Sequence, residues 1–244
     1  MTRIYGEQVD LDPESVQKFF EHRGATLNSA HPLTSVLYQD RDPALADARD
    51  KAEKELVFPL LEVSRSSDVL DIGCGIGRWA DALYGKISSY HGIDLSEDLL
   101  KAARDRINIP SFTFQRLSAD EMSVSNLNGK DSFSHIIIAG VLIYLNDSQV
   151  RSLITAVKTL TRAGALLYVR EPIALETRLT LKDYQSEELG SSYSAIYRTS
   201  AELTELLCGD EGSMFEVKEA RHLYPAELNN RKETRQMIYI LRRV

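Results

Sequence analysis

The spacing of apolar and polar residues changes character twice along the chain, near residue 68 and again near residue 172. The first stretch has helical period. "DPESVQKFFEHRG" carries Asp12 as an N-cap, Pro13 at the first helical position and Gly24 as a stop. "RDPALADARDKAEKELVFPLLEVS" repeats that opening with Asp42 and Pro43, and Leu45, Ala48, Ala52, Leu56 and Leu60 recur every three or four residues as an amphipathic stripe. Pro59 should kink or end this helix.

From Asp68 onward short apolar runs alternate with helical stretches. The runs "DVLDI", "YHGID", "FTFQRL", "HIIIAG" and "ALLYVRE" read as strands. Between them, "GRWADALYG", "SEDLLKAARDRI" (capped by Ser96) and "DSQVRSLITAVKTLT" read as helices, with a weak one at "DEMSVSNL". Such alternation demands right-handed crossovers and a mostly parallel α/β sheet. It stops at "PIALETRLTLKDYQSEELGSSYSAIYRT", a polar stretch rich in Tyr and Ser and too long for a plain connection. Thr199 and Glu202 then form a capping box for "TSAELTELLCG", and "MFEVKEARHLY" and "TRQMIYILRRV" are close enough to pair antiparallel. The expected organisation is one domain over 1–244. It comprises an N-terminal helical cap (1–64), a ligand-binding core (65–171), an insertion (172–199) and a C-terminal helix with a strand pair (200–244).

Composition narrows the class. The 244 residues are 43% hydrophobic and 27% charged, enough for a full core without staples. Cys74 and Cys208 give neither a disulfide framework nor a metal-ligand spacing, so no metal is expected. The charged opening "MTRIYGEQVDLDPES" is no secretory signal, and no apolar run is long enough to span a bilayer, so the expected setting is cytoplasmic, away from membranes. A net charge of −7 argues against general nucleic-acid binding.

"VLDIGCGIGRWA" ends an apolar run with Gly73, Gly75 and Gly77 at alternate positions, directly behind Asp71. Glycines at the carboxyl end of a parallel strand let the backbone pass close to a ligand. The dinucleotide spacing G-x-G-x-x-G fails, because Arg78 holds its last place. A carboxylate at Asp71 suits a cationic group better than a pyrophosphate. Asp94, 17 residues after Gly77, stands where an acidic residue accepts ribose hydroxyls.

"VLDIGCGIGRWA" followed by "YHGIDLS" resembles the class I S-adenosylmethionine-dependent methyltransferases, over Asp68 to about Arg170. The resemblance implies a Rossmann-like seven-stranded, mostly parallel sheet with an antiparallel C-terminal strand, helices on both faces and a helical cap. It implies S-adenosyl-L-methionine as cofactor. Asp71 would then order the glycine loop and the cofactor's amino-acid end, and Gly73, Cys74, Gly75 and Gly77 would form that loop. Asp94 would hold the ribose with Leu95 beside the adenine, Asp120 would accept from the adenine amino group, and Glu121 or Met122 would flank the ring. "AGVLIYLND", starting at Ala139, would lie under the methyl group; many relatives have His where this chain has Tyr144.

Other side chains are assigned more loosely. Candidate bases are Tyr144, Glu171, His222, His31 and His22; candidate substrate contacts are Arg178, Tyr193, Tyr197 and Arg198. Arginine and tyrosine together suit a carboxylate, phosphate or polyhydroxyl group. The plain alternatives are a solvated insertion and ordinary packing for Cys74, Trp79, His91 and His135. The expected activity is methyl transfer to an oxygen or nitrogen of a small molecule, and a resemblance to bacterial tailoring enzymes implies a secondary metabolite or sugar derivative. The alternatives are a protein or peptide substrate, or a non-catalytic cofactor-binding module partnering another protein. Monomer or homodimer is expected, with no nucleic-acid partner. "AGVLIY" lacks the Asn- or Asp-Pro-Pro-aromatic sequence of amino-methylating DNA enzymes.

Overall fold

The computed structural model describes residues 2–37, 41–127, 132–187, 189–209, 214–229 and 231–244. Its elements run β1 (Thr2–Tyr5), α1 (Pro13–Ala25), α2 (Pro32–Leu37), α3 (Pro43–Val57), β2 (Asp68–Ile72), α4 (Arg78–Leu83), β3 (Ser89–Asp94), α5 (Glu97–Arg106), β4 (Phe112–Arg116), β5 (Phe133–Ala139), α6 (Asp147–Thr159), β6 (Thr161–Ala174), β7 (Leu179–Ser186), β8 (Ser191–Tyr197), α7 (Ser200–Cys208), β9 (Phe215–His222) and β10 (Thr234–Arg243). Asp12, Asp42, Ser96 and Thr199 cap their helices as the sequence indicates. α3 closes at Val57, and a single 3-10 turn carries Pro59. The weak helix resolves into two 3-10 turns, Ala119–Glu121 and Val124–Asn126.

Seven strands form one sheet in the order β4-β3-β2-β5-β6-β10-β9. β2 pairs in parallel with both β3 and β5, while β10 runs antiparallel to β6 and β9. Val69, Leu70 and Ile72 are fully buried, as a central strand covered on both faces requires. One face packs under α6 and α7 through residues such as Leu153, Ile154, Leu203 and Leu207. The other packs under α3 and α4 through Val57, Trp79 and Leu83. Strand order reverses between β2 and β5, which opens a crevice outside their carboxyl ends.

Two features depart from the sequence reading. The insertion is not a solvated loop: β7 and β8 are an antiparallel hairpin, and β1 joins β7 to make a second, three-stranded sheet. Leu179, Leu181, Ala195 and Ile196 of this sheet are all buried. α3, secondly, buries a polar stripe. Ala46, Arg49, Asp50, Glu53 and Val57 face inward, whereas Ala48 is exposed and Leu45, Ala52 and Leu56 are only partly covered. The side chains that meet α3 are charged, as the site shows.

Candidate functional site

The loop leaving β2 is built for close approach. Gly73, Gly75 and Gly77 all adopt positive φ (+71°, +53° and +75°), a region that disfavours any side chain. A Cβ on Gly73 would stand 2.3 Å from Val141 Cγ2, so the loop leaving β5 has no room for one. Gly77 serves packing instead: its Cβ would strike Ile107 and Phe114, at the end of α5 and on β4. The amides of Gly73 and Cys74 both donate to the Ile93 carbonyl at the end of β3, at 2.8 and 3.0 Å.

A cleft of about 520 Å³ lies above this loop. Its floor includes Gly73, Cys74, Gly75, Ala139 and Gly140; α1 and α2 roof it with Val16, Phe20 and Val36. Asp94 and Asp120 both line it. Asp94 Oδ2 accepts the Gly75 amide and Oδ1 accepts the Ser96 amide, each at 2.9 Å. Each carboxylate oxygen retains a further lone pair, so the group can still accept two hydroxyls of a ribose. Burial raises its pKa, against the pull of these amides. Asp120 accepts from Ser118 and, at 2.5 Å, from Gln149 Nε2. Leu95 and Glu121 also face the cleft. Two carboxylates set among apolar side chains make a pair of hydrogen-bond acceptors suited to an adenosine-bearing ligand.

Arg78 lines the same cleft, although the sequence reading treated it only as a missing glycine. Its Nη1 donates to Asp50 at 2.7 Å, and Nη2 donates to both oxygens of Glu53 at 2.7 and 2.8 Å. Glu53 is wholly buried, also accepts the Tyr168 hydroxyl at 2.8 Å, and lies 3.6 Å from Arg170 Nε. Arg78 and Arg170 outweigh the cost of desolvation and hold its pKa down at about 2. The Arg170 guanidinium in turn sits against Gly140, 3.1 Å from where a Cβ would stand. One carboxylate of the cap therefore fixes two cations that bear on the cleft floor. No local sequence signal marks this; the partners are far apart in the chain.

Several expected site residues lie elsewhere. Asp71 is 2% exposed and beneath the loop rather than in the cleft; Tyr90 donates to it at 2.5 Å, and burial raises its pKa to about 7. Glu171 faces backbone: it accepts the amides of Val141 and Leu142 at 2.8 Å and of Ile143 at 3.3 Å, and it does not line the cleft. Met122 packs into the core because its turn directs it inward. His22, His31 and His222 are exposed and do not line the cleft; His222 lies on the edge strand β9. Arg178 and Arg198 are buried on Asp147 rather than in a cavity. Arg178 meets it in a two-pronged pair at 2.9 and 3.0 Å, and Arg198 adds Nε at 2.8 Å while donating to the Leu142 and Leu145 carbonyls. Tyr193 and Tyr197 line a smaller, second cavity. Tyr144 is the candidate base that does face the cleft, edge-on to Phe20 with ring centres 4.8 Å apart. Burial pushes the Cys74 thiol well above its usual pKa, so it stays protonated.

Comparison with known proteins agrees with this geometry. Residues 69–164 match the family model described as a methyltransferase domain. Phosphoethanolamine N-methyltransferase 1 of Zea mays is 24% identical over 169 residues, 68% of this chain and 31% of that one. Methyltransferase GfsG of Streptomyces halstedii is 33% identical over 142 residues, 53% of this chain and 50% of its own length. The chain thus spans between about a third and a half of these relatives. Among solved structures, Haemonchus contortus phosphoethanolamine N-methyltransferase 1, in complex with phosphoethanolamine and S-adenosylhomocysteine, superposes with a TM-score of 0.72 at 17% identity, over 95% of this chain and 49% of that one. The N-methyltransferase NodS of Bradyrhizobium japonicum, in complex with S-adenosylhomocysteine, gives 0.62 at 17% identity, over 94% and 98%. With the glycine loop, the strand order and the domain match in agreement, residues 69–164 form a methyltransferase domain, in a chain with the fold of these S-adenosylhomocysteine-bound N-methyltransferases.

Proposed function

We propose that this protein transfers a methyl group from S-adenosyl-L-methionine to an oxygen or nitrogen of a small molecule, of the secondary-metabolite or sugar kind. The observation that carries this reading is the roofed cleft between the glycine loop, Asp94 and Asp120. When bound, the cofactor supplies an electrophilic methyl group. Asp94 would hold the ribose hydroxyls, and Asp120 the adenine edge. Arg78, a cation on the cleft wall, suits the cofactor's carboxylate. The turn at 139–145 borders the remaining space, where Tyr144 can orient the acceptor by a hydrogen bond. α1 and α2, which roof it, would limit the access of water. Orientation and exclusion of water are what an in-line displacement needs most, and orientation alone can supply roughly 7–11 kcal/mol.

Roofing by two helices favours a small acceptor over a folded protein. Calorimetric titration with S-adenosylhomocysteine, against NAD as comparison, tests the reading. Micromolar binding of the first alone is expected, and Asp94→Ala should weaken it at least about tenfold. Selective binding of NAD, or an affinity indifferent to Asp94, would overturn it.

A further inference from the structure

Tyr144 belongs to two cavities. Besides the cleft it lines a second one of about 90 Å³, walled by α2, α3, β8 and β10. This space brings together parts of the chain that the methyl-donor reading does not use: the cap, the insertion sheet and the C-terminal strand. Its polar lining has a uniform character. Arg49 and Arg231 contribute guanidinium groups, and Tyr193 and Tyr197 join Tyr144 in contributing phenols. Asn229, Thr234 and Gln236 complete it, so that every polar side chain of the described lining can donate a hydrogen bond. No Asp or Glu stands among the described lining residues, on a chain whose net charge is −7. Local positive charge against that background is a property of the place, not of the average surface.

Arg49, Tyr193 and Tyr197 are also held in position. Arg49 is buried; its Nε and Nη2 donate to the Leu228 carbonyl at 2.9 and 2.5 Å, and its guanidinium lies 5.5 Å from the Tyr224 ring centre. Tyr193 and Tyr197 share a hydrogen bond at 3.2 Å. Preorganised donors of this kind suit an oxyanion, which accepts from several directions at once.

We propose that this second cavity seats an anionic group of the methyl acceptor, a phosphate or a carboxylate, with the nucleophile reaching past Tyr144 into the cleft. The proposal rests on the methyl-donor reading of that cleft. It sets the acceptor's class as a small molecule with an oxyanion at one end and a hydroxyl or amine at the other.

The test is calorimetry on the protein saturated with S-adenosylhomocysteine, titrated with inorganic phosphate and separately with acetate. Binding of either anion in the millimolar range or tighter is expected. Arg231→Gln, at an exposed position, should weaken it about tenfold or more without changing the affinity for S-adenosylhomocysteine. Tyr193→Phe provides a second, gentler variant with the same expected direction. Phosphate alone would mark a phosphorylated acceptor, acetate alone a carboxylated one, and either supports the proposal. Failure of both anions to bind while S-adenosylhomocysteine still does would overturn it and leave the donor reading standing. Anion binding unchanged in both variants would overturn it as well. Loss of S-adenosylhomocysteine binding in the unaltered protein would remove the reading beneath it.

Discussion

Glu53 and Asp147 each gather two buried arginines, yet they do so under different parts of the site. Glu53 is wholly buried, reaches down from the cap, and holds Arg78 and Arg170 against the floor of the cleft. The Asp147 side chain keeps 17% of its surface at the start of α6, where it holds Arg178 and Arg198. These two arginines come from either end of the β7–β8 hairpin, and Arg198 also binds the turn that carries Tyr144. The first cluster bears directly on the cleft. The second staples the insertion sheet to the turn at 142–145. A buried arginine near a site is therefore not by itself a ligand-binding arginine; which carboxylate it answers to, and which wall that pair supports, decides what it does.

The comparison can be broken most forcefully at Glu53. Glu53→Ala strands the buried Arg170 and leaves Arg78 with Asp50 alone, which should cost about 3–5 kcal/mol in urea unfolding. The isosteric Glu53→Gln should weaken S-adenosylhomocysteine binding through a loosened Arg78. Asp147→Ala should cost less, about 1–3 kcal/mol, because water reaches that site. It should also raise the acceptor KM more than the donor KM; equal effects on both would erase the distinction between the clusters. Arg198→Ala should lower the melting temperature and kcat together, since it frees the carbonyls of Leu142 and Leu145. A rise in acceptor KM with unchanged stability would instead return Arg198 to the acceptor's own contacts.

Smaller and subtler is a pH effect that separates Glu53 from its neighbour Asp71. The folded-state pKa of Glu53 is depressed from 4.5 to about 2, so its contribution is full above pH 4.5 and is lost as pH falls toward 2. Asp71 is raised from 3.8 to about 7, so its contribution is full below 3.8 and is lost as pH rises through 7. Asp71→Asn, which can still accept from Tyr90, should flatten the decline in melting temperature between about pH 4 and pH 7. An unchanged profile would mean that Asp71 titrates normally.

Much of the fold was legible because its signals are local. Strand–helix alternation from β2 to α6, four helix caps and the glycine loop each reside within a few consecutive residues. Asp94 was reachable through its distance from that loop, and Asp120 through the family resemblance. The rest depends on pairings that no window contains. β1 is four residues without alternation, and it becomes a strand because β7 offers an edge 174 to 180 positions away, Thr2 standing opposite Lys182 and Tyr5 opposite Leu179. The inward face of α3 contradicts its apolar stripe because Glu53 and Asp50 meet Arg78 from the next segment of the chain. Arg178 and Arg198 look like ligand-binding residues until Asp147 is placed between them. The carboxylate of Glu171, at the right strand end for a base, is occupied by three amides of the neighbouring turn.

The pairing of β1 with β7 also has a meaning in time. A ribosome adding about 5–20 residues per second needs roughly 10–35 s to proceed from Thr2 to Lys182. Throughout that interval the first strand has no edge to join, while β2 to β5 can already assemble with their helices. Such long-range closure is slow in folding. We expect the floor of the cleft to form during synthesis and the second sheet to close late. Pulse proteolysis of stalled nascent chains, with cleavage near Tyr5 persisting after the core is protected, would show it.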